Sequence, residues 1–321
     1  MSLRRRPGVG AAIDIGSNSV HLLVAAVGTD LLEPLIDESA LLGLGAIVDR
    51  DGSLPTEAVE ATVTAVAGYV ARAQSLGAAR VTVVGTEPLR RAANRSVVQA
   101  DVLRASGVPL VVIGHEAEAE LTLLGVTRGA PVQDRLLVMD IGGGSTEIIL
   151  AGPGADPVVG AMPTGSARLT AAFVEHDPPS WFEINSLRAE AKRLVDGLPG
   201  GHPERGVLVG GSSTNLCRVT PEDAAGEPST ITRGRLERAF AVLATLPADE
   251  LVTRYSVNAR RARILAAGAA LAEAVLLRYD LERLEVSDAS LREGAIIAGW
   301  LAGDAWQERL ADLVARVEPH P

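Results

Sequence analysis

Two short segments of the chain carry an aspartate, glycine and hydroxyl side chains in the same order. Residues 14–19 read D-I-G-S-N-S and residues 140–145 read D-I-G-G-G-S, so the pattern D-I-G-x-x-S recurs at an offset of 126 residues. Each copy lies between two apolar runs, which predicts a β-hairpin whose glycine-containing tip brings backbone amides close to an oxyanion. One such tip is common among hairpins. Two copies predict a duplicated domain with two phosphate-binding turns that face each other.

The second copy adds a pair of carboxylates. Asp140 and Glu147 flank the run G-G-G-S-T and lie seven residues apart across the predicted hairpin tip. Both carboxylates could therefore reach one phosphate-bound cation, and Mg²⁺ suits this arrangement because it takes few carboxylates and keeps waters and phosphate oxygens. The alternative is that Glu147 is an exposed strand residue.

A third glycine-rich turn, V-G-G-S-S-T at residues 209–214, follows an apolar run and leads into a predicted helix. The N-terminus of that helix, at Gly211 and Ser212, would provide a further anion-binding site. The alternative is a structural loop with Ser/Thr caps.

Basic and acidic side chains follow two predicted strands of the first half. Arg90 and Arg91 come after T-E-P-L, and Arg90 is favoured as a phosphate ligand because it follows a strand end; surface solvation is the alternative. The run H-E-A-E-A-E at residues 115–120 opens a predicted helix. Glu116 and Glu120 at i,i+4 form the pattern of a solvated face, whereas Glu118 points elsewhere.

Composition restricts the classes of partner. The net charge of −10 over 321 residues argues against a nucleic-acid surface, and no apolar run is long enough for a transmembrane helix. The single Cys217 excludes an internal disulfide and a cysteine metal site, so we expect a cytoplasmic protein. Lys192 is the only lysine, so phosphate contacts must come from arginines or backbone amides.

The order of predicted elements repeats along the chain. The first half predicts strands at 9–15, 19–27 and 33–42, a helix from Pro55 to Gly77, a strand at 80–85, a helix at 95–105, a strand at 110–113 and a helix at 116–128. The second half predicts strands at 135–141, 145–151 and 156–162, then helices, a strand at 207–210 and further helices. A Rossmann fold is disfavoured because both D-I-G turns lead into strands rather than helices.

These motifs together resemble the exopolyphosphatase/guanosine pentaphosphate phosphatase (Ppx/GppA) family of the actin-like ATPase superfamily. The resemblance rests on the two D-I-G segments, on T-x-x-L-R-x-A-x-N from Thr86 and on S-D-x-x-L-R-E-G from Ser287. It covers about residues 9 to 300. It implies an α/β fold of two duplicated actin-like (ribonuclease-H-like) domains with an interdomain cleft. We expect one domain at 1–124 plus about 300–321 and the other at 125–299.

The resemblance also implies residue roles. Glu118 matches the catalytic glutamate that positions or deprotonates water, Asp140 and Glu147 match carboxylates linked to Mg²⁺, and Arg90 matches a phosphate-binding arginine. The two loops that bind phosphate would be formed by Ser17, Asn18, Ser19, Gly143, Gly144, Ser145 and Thr146. The chain departs from the family pattern at Ala117, Pro88, 210–213, Arg263 and Ser290. We expect these departures to influence which phosphoanhydride the protein accepts.

The expected activity is hydrolysis of the terminal phosphoanhydride of inorganic polyphosphate, with release of orthophosphate. Short chains are favoured because the sequence ends before any HD-type C-terminal domain of the kind that some family members carry. Arginines expected to line a groove for the polyanion are Arg90, Arg91, Arg95, Arg260 and Arg261. The alternatives are a guanosine pentaphosphate phosphatase, a (p)ppGpp-binding sensor with little turnover, and an actin-like kinase or ATPase. The family also suggests a (p)ppGpp effector and a homodimer.

Overall fold

The computed structural model describes residues 8–28, 32–220 and 229–315, and the chain divides into two compact units. Unit 1 combines the chain up to Pro131 with the chain from Ala289 onward, and unit 2 is Val132–Asp288. These limits differ from the expected 124/125 and about 299/300. Helix α13 (Leu291–Ala302) packs along its length on helix α5 (His115–Val126), so all of it belongs to unit 1.

Unit 1 is built on a five-stranded sheet in the order β3-β2-β1-β4-β5. Its strands are β1 (Gly8–Ile15), β2 (Ser19–Val27), β3 (Leu32–Leu41), β4 (Ala78–Gly85) and β5 (Leu110–Val112). The first three are antiparallel, whereas β4 pairs parallel with β1 and β5 with β4. The other helices are α1 (Leu44–Asp51), α2 (Thr56–Ser75), α3 (Glu87–Arg91), α4 (Arg95–Ser106) and α14 (Leu310–Val314), with a 3₁₀ turn at Gly303–Ala305.

Strand β1 is buried on both faces, which explains its continuous apolar sequence. Ala11, Ile13 and Ile15 pack into the cluster under α2 and α4, and Ala12 packs into the cluster under α5 and α13. The central strand is therefore fixed from both sides, and so is the hairpin tip at its end.

Unit 2 has a six-stranded sheet in the order β8-β7-β6-β9-β11-β10. Its strands are β6 (Leu136–Ile141), β7 (Thr146–Gly152), β8 (Ala155–Met162), β9 (Arg205–Val209), β10 (Thr230–Thr232) and β11 (Arg283–Val286). Its helices are α6 (Ser166–Phe173), α7 (Trp181–Asp196), α8 (Gly211–Val219), α9 (Arg233–Leu243), α10 (Ala248–Tyr255), α11 (Ala259–Ala262) and α12 (Leu265–Arg278). Helix α12 is apolar and buried over most of its length, so it forms the centre of this unit's core.

Strand β10 is an antiparallel addition at the edge of the second sheet. When β10 is left out and each sheet is numbered from its own first strand, both sheets have the order 3-2-1-4-5. The predicted duplication and the predicted α/β class are confirmed. Both D-I-G turns join antiparallel strands, so the Rossmann alternative is wrong. Within the described residues, no helix combines the length and apolar character that a membrane span requires.

Candidate phosphate-binding and catalytic residues

The two hairpin tips have the same backbone hydrogen bond at the same place. The amide of Gly16 donates to the carbonyl of Ser19, and the amide of Gly142 donates to that of Ser145, each at 3.0 Å. The duplication seen in the sequence is thus reproduced in the local geometry of the turns.

Asp140 and Glu147 are direct partners in the antiparallel pairing of β6 with β7. Directly opposed residues project from the same face of a sheet with Cβ atoms about 5 Å apart, so the two carboxylates are neighbours. Glu147 is only 2% exposed, and its interpretation as an exposed strand residue is therefore wrong. Two adjacent carboxylates beside a phosphate-type turn fit the oxygen ligands that Mg²⁺ prefers.

The carbonyls of the second tip are directed at helix α6. Those of Gly142 and Gly143 accept hydrogen bonds from the first amides of that helix at 2.9 and 3.0 Å, and that of Gly144 accepts one from the Arg168 guanidinium at 2.9 Å. In a trans peptide the carbonyl and the following amide point in opposite directions. The amides of Gly143, Gly144 and Ser145 are consequently directed away from α6, as an anion seat requires.

The threonine that ends this segment, Thr146, is fully buried at the start of β7. Its Oγ1 donates to the carbonyl of Thr164 at 3.0 Å. The hydroxyl therefore connects the hairpin to the segment before α6, and Thr146 stays a predicted phosphate ligand.

The third turn approaches Asp140 closely. Gly210 has a φ of +92°, and a Cβ at that position would lie 2.9 Å from Asp140 Oδ1, so both backbone conformation and space require glycine. Helix α8 begins at the next residue. The third turn, although distant in sequence, therefore lies against the Asp140 carboxylate within unit 2.

Arg261 lies across the start of α8. A Cβ on Gly211 would be 2.7 Å from its Nε, and its Nη1 is buried without a hydrogen-bond partner among the described residues. Burial lowers the pKa of Arg261, and the charge of Asp140 acts in the opposite direction. Ser212 is fully buried against Gly268 of α12, and its Oγ has no hydrogen-bond partner among the described residues. Anion binding by Gly211 and Ser212 stays a prediction.

The first tip is connected to acidic and basic groups of unit 1. Ser17 Oγ donates to Glu87 at 2.8 Å, and Arg91 Nη1 contacts both Glu87 at 2.8 Å and Asp49 at 2.6 Å. Ser17 therefore belongs to an ionic network, and Arg91 is an exposed member of that network.

The remaining residues of this tip are held by nearby groups. The carbonyl of Asn18 accepts from the amides of Leu42 and Gly43 at 3.1 and 2.9 Å, and Ser19 Oγ lies 2.6 Å from Nε2 of His21. The tip is thus fixed to the start of α1, and phosphate binding by Ser17, Asn18 and Ser19 stays a prediction.

Glu118 is nearly buried on α5 and its carboxylate is paired with Arg90. Arg90 Nη1 donates to Glu118 Oε2 at 2.5 Å and to the carbonyl of Ile113, the residue after β5, at 3.1 Å. The solvated-face pattern holds for Glu116, which is exposed, but not for Glu120, which is half-buried. Burial, with a smaller effect of Glu116, raises the pKa of Glu120 to about 7.

Sequence reasoning gave no role to three residues of unit 1. Glu87 lies inside the T-x-x-L-R motif and connects Ser17 with Arg91. Arg292, in the closing motif, donates to Asp37 at 2.6 Å, and the charges of Asp37, Glu293 and Asp14 raise its pKa against the opposing effect of burial. His115 contacts Arg90. Glu87 and Arg292 could have been identified as candidate functional residues because they lie inside sequence motifs. No sequence feature marked His115.

The chain is similar to known proteins over most of its length. Residues 23–302 match the model of the Ppx/GppA phosphatase family. The chain is 31% identical over 297 residues to exopolyphosphatase 1 of Mycobacterium tuberculosis, covering 89% of this chain and 86% of that protein. It is 30% identical to exopolyphosphatase 2 of the same organism, covering 91% and 98%. The crystal structure of the Aquifex aeolicus Ppx/GppA family member superposes with a TM-score of 0.81 at 28% identity, covering 93% and 99%. The chain belongs to the Ppx/GppA phosphatase family.

Proposed function

We propose that this protein is an exopolyphosphatase, which hydrolyses the terminal phosphoanhydride of inorganic polyphosphate and releases orthophosphate. The observation that carries the proposal is the opposed pair Asp140 and Glu147 beside a tip whose amides are directed away from α6. The relatives named exopolyphosphatase support the same substrate class.

The loop amides of Gly143, Gly144 and Ser145 would donate to the oxygens of the terminal phosphate. Asp140 and Glu147 would hold Mg²⁺, which when bound neutralises charge on phosphoryl oxygens. Arg261 would place its buried guanidinium against a phosphate at the start of α8.

Glu118 would orient the attacking water and accept its proton, and Arg90 would hold the carboxylate in place. Phosphoryl transfer depends mostly on positioning and electrostatic stabilisation, so few side chains need to react covalently. Arg90 is also the predicted phosphate ligand, and this role is part of the proposal.

The test is orthophosphate release in the presence of Mg²⁺ from short-chain polyphosphate, long-chain polyphosphate, guanosine pentaphosphate and ATP in parallel. We expect release from polyphosphate, fastest with short chains. Release from guanosine pentaphosphate alone would replace the proposal with the nucleotide phosphatase. No release from any of the four, together with tight guanosine tetraphosphate binding by calorimetry, would replace it with the sensor.

The predicted effector, assembly and compartment are proposals of the same kind. Calorimetry with guanosine tetraphosphate tests the effector, light scattering tests the homodimer, and localisation of a tagged chain tests the cytoplasmic assignment.

A further inference from the structure

His115 is the first residue of α5, and its imidazole contacts the arginine that holds Glu118. The distance from His115 Nδ1 to Arg90 Nη2 is 3.1 Å. A guanidinium carries only hydrogen-bond donors, so Nδ1 must be the acceptor. The imidazole is therefore neutral, with its proton on Nε2.

The surroundings of the imidazole favour this neutral form. Burial first, and then the positive charge of Arg90, lower the pKa of His115, whereas Glu118 and Glu87 act in the opposite direction. The position at a helix N-terminus further disfavours an imidazolium.

Arg90 joins three groups of unit 1 through one rigid plane. Its Nη1 contacts Glu118 Oε2 at 2.5 Å and the carbonyl of Ile113 at 3.1 Å, while its Nη2 contacts His115. Because the guanidinium is planar, fixing one nitrogen restricts the rotation of the others. A change at His115 is thereby transmitted to the carboxylate of Glu118.

We propose that His115 is a positioning residue for the phosphohydrolase reaction: by accepting a hydrogen bond from Arg90 at Nδ1, it fixes the guanidinium that orients the Glu118 carboxylate. This inference rests on the proposed function, in which Glu118 directs the attacking water. Neither the sequence motifs nor the family resemblance gives His115 a role.

The kinetic test compares two substitutions of different chemistry. In His115→Asn the side-chain Oδ1 takes a place close to that of Nδ1 and keeps an acceptor, whereas His115→Ala keeps none. We expect the alanine variant to lose about tenfold or more in kcat for orthophosphate release with KM nearly unchanged, and the asparagine variant to recover most of it. Equal loss in both variants, or no loss in the alanine variant, would overturn the proposal.

A double-variant experiment tests whether His115 acts through Glu118. In the Glu118→Gln background, His115→Ala should cost no further factor in the residual rate, because the carboxylate that it positions is gone. A full additional tenfold loss would show that His115 acts independently and would contradict the proposal. Equal thermal midpoints for the variants and the parent exclude misfolding as the cause.

A spectroscopic readout separates this inference from the proposed function. ¹⁵N chemical shifts of His115 in the substrate-free protein should show the proton on Nε2 and an unprotonated Nδ1 at pH 7, and Arg90→Gln should alter the Nδ1 shift. This result is expected whichever phosphate compound is hydrolysed. A proton on Nδ1 would overturn the inference even if the enzyme is an exopolyphosphatase.

Discussion

At the scale of single residues, the carboxylate pair depends on strand register. Asp140 and Glu147 face each other because β6 and β7 pair with Ile141 opposite Thr146. A slip of one residue would move one carboxylate to the other face of the sheet. In unit 1 the partner opposite Asp14 is His21, so only the second hairpin carries two opposed acids.

The pair predicts a specific metal phenotype. Asp140→Asn keeps the size of the side chain but removes a charge, so the Mg²⁺ concentration for half-maximal activity should rise about tenfold or more. Asp156→Asn, on the exposed β8 strand of the same sheet, is the matched control and should leave it unchanged. An identical Mg²⁺ dependence in Asp140→Asn and the parent would contradict a metal role for this carboxylate.

Glu118 predicts a phenotype in the turnover rate. Glu118→Gln retains a polar side chain beside Arg90 but cannot accept a proton, so kcat should fall by at least about 10²-fold with the fold intact. Glu116→Gln lies on the exposed side of the same helix and should keep full activity. If Glu118→Gln keeps most of its activity, the assignment of Glu118 fails.

The type and spacing of these residues identified them in the sequence, but the sequence did not predict all of the side chains that they contact. Asp140 and Glu147 could be paired from the hairpin pattern, because period-2 alternation determines which side chains share a face. The contact of Arg90 with Glu118 could not be predicted, since it joins side chains from α3 and α5 whose approach depends on packing. The position of Arg261 over Gly211 could not be predicted for the same reason, because it also depends on how the helices pack.

At the scale of elements, α5 and α13 cross at two glycines. A Cβ on Gly125 would overlap the carbonyl of Ser290, and one on Gly294 would overlap the carbonyl of Leu121. The backbone of α5, the helix that carries Glu118, therefore packs directly against the backbone at the start of α13. A larger residue at either glycine would prevent this close packing.

This crossing predicts a loss of stability. Gly294→Ala should lower the free energy of unfolding by about 2 kcal/mol or more, because backbone atoms must shift. Gly68→Ala is the matched control: Gly68 lies on the exposed face of α2, where a Cβ meets nothing within 4 Å, and the change should be neutral or stabilising. Urea denaturation measures both, and a loss in Gly68→Ala as large as that in Gly294→Ala would contradict the packing argument.

Glu120 on the same helix predicts a pH-dependent stability. Its folded-state pKa of about 7 exceeds the ordinary 4.5, so the folded state binds the proton more tightly than the unfolded state does. The contribution of this proton to the free energy of unfolding is therefore fully present below pH 4.5 and is lost as the pH rises through 7. Between pH 4.5 and pH 8, the free energy of unfolding of Glu120→Gln should therefore rise by about 1–2 kcal/mol relative to that of the parent, after allowance for solvent screening. An equal difference between variant and parent at both pH values would contradict the shift.

Long, patterned elements were predictable, whereas several short ones were missed although the three-residue β5 was predicted. Helix α2 was predicted between Pro55 and Gly77 because Val59, Val63, Val66 and Val70 recur on one face and a glycine follows them. In the structure the helix ends at Ser75, and Gly77 has a φ of +82°. Strand β11 was missed because its four residues carry two charges, and β10 because only one of its three residues is apolar. Helices α1 and α3 are too short for a periodic signal.

At the scale of the whole molecule, an acidic protein must bind a polyanion. With a net charge of −10, long-range attraction does not assist the substrate, so we propose that binding depends on local amides and on arginines such as Arg261. The duplication was predictable from two copies of one motif. The limits of the two units were not predictable, because they depend on the packing of α13.

The measurement that tests the central claim most directly is ³¹P NMR of short-chain polyphosphate incubated with the protein and Mg²⁺, with Glu118→Gln as the comparison. Hydrolysis from the chain ends predicts that orthophosphate appears from the first time points while internal phosphate signals decline, and that the variant releases almost none. Accumulation of mid-length fragments without orthophosphate, or equal release by the variant, would contradict the account.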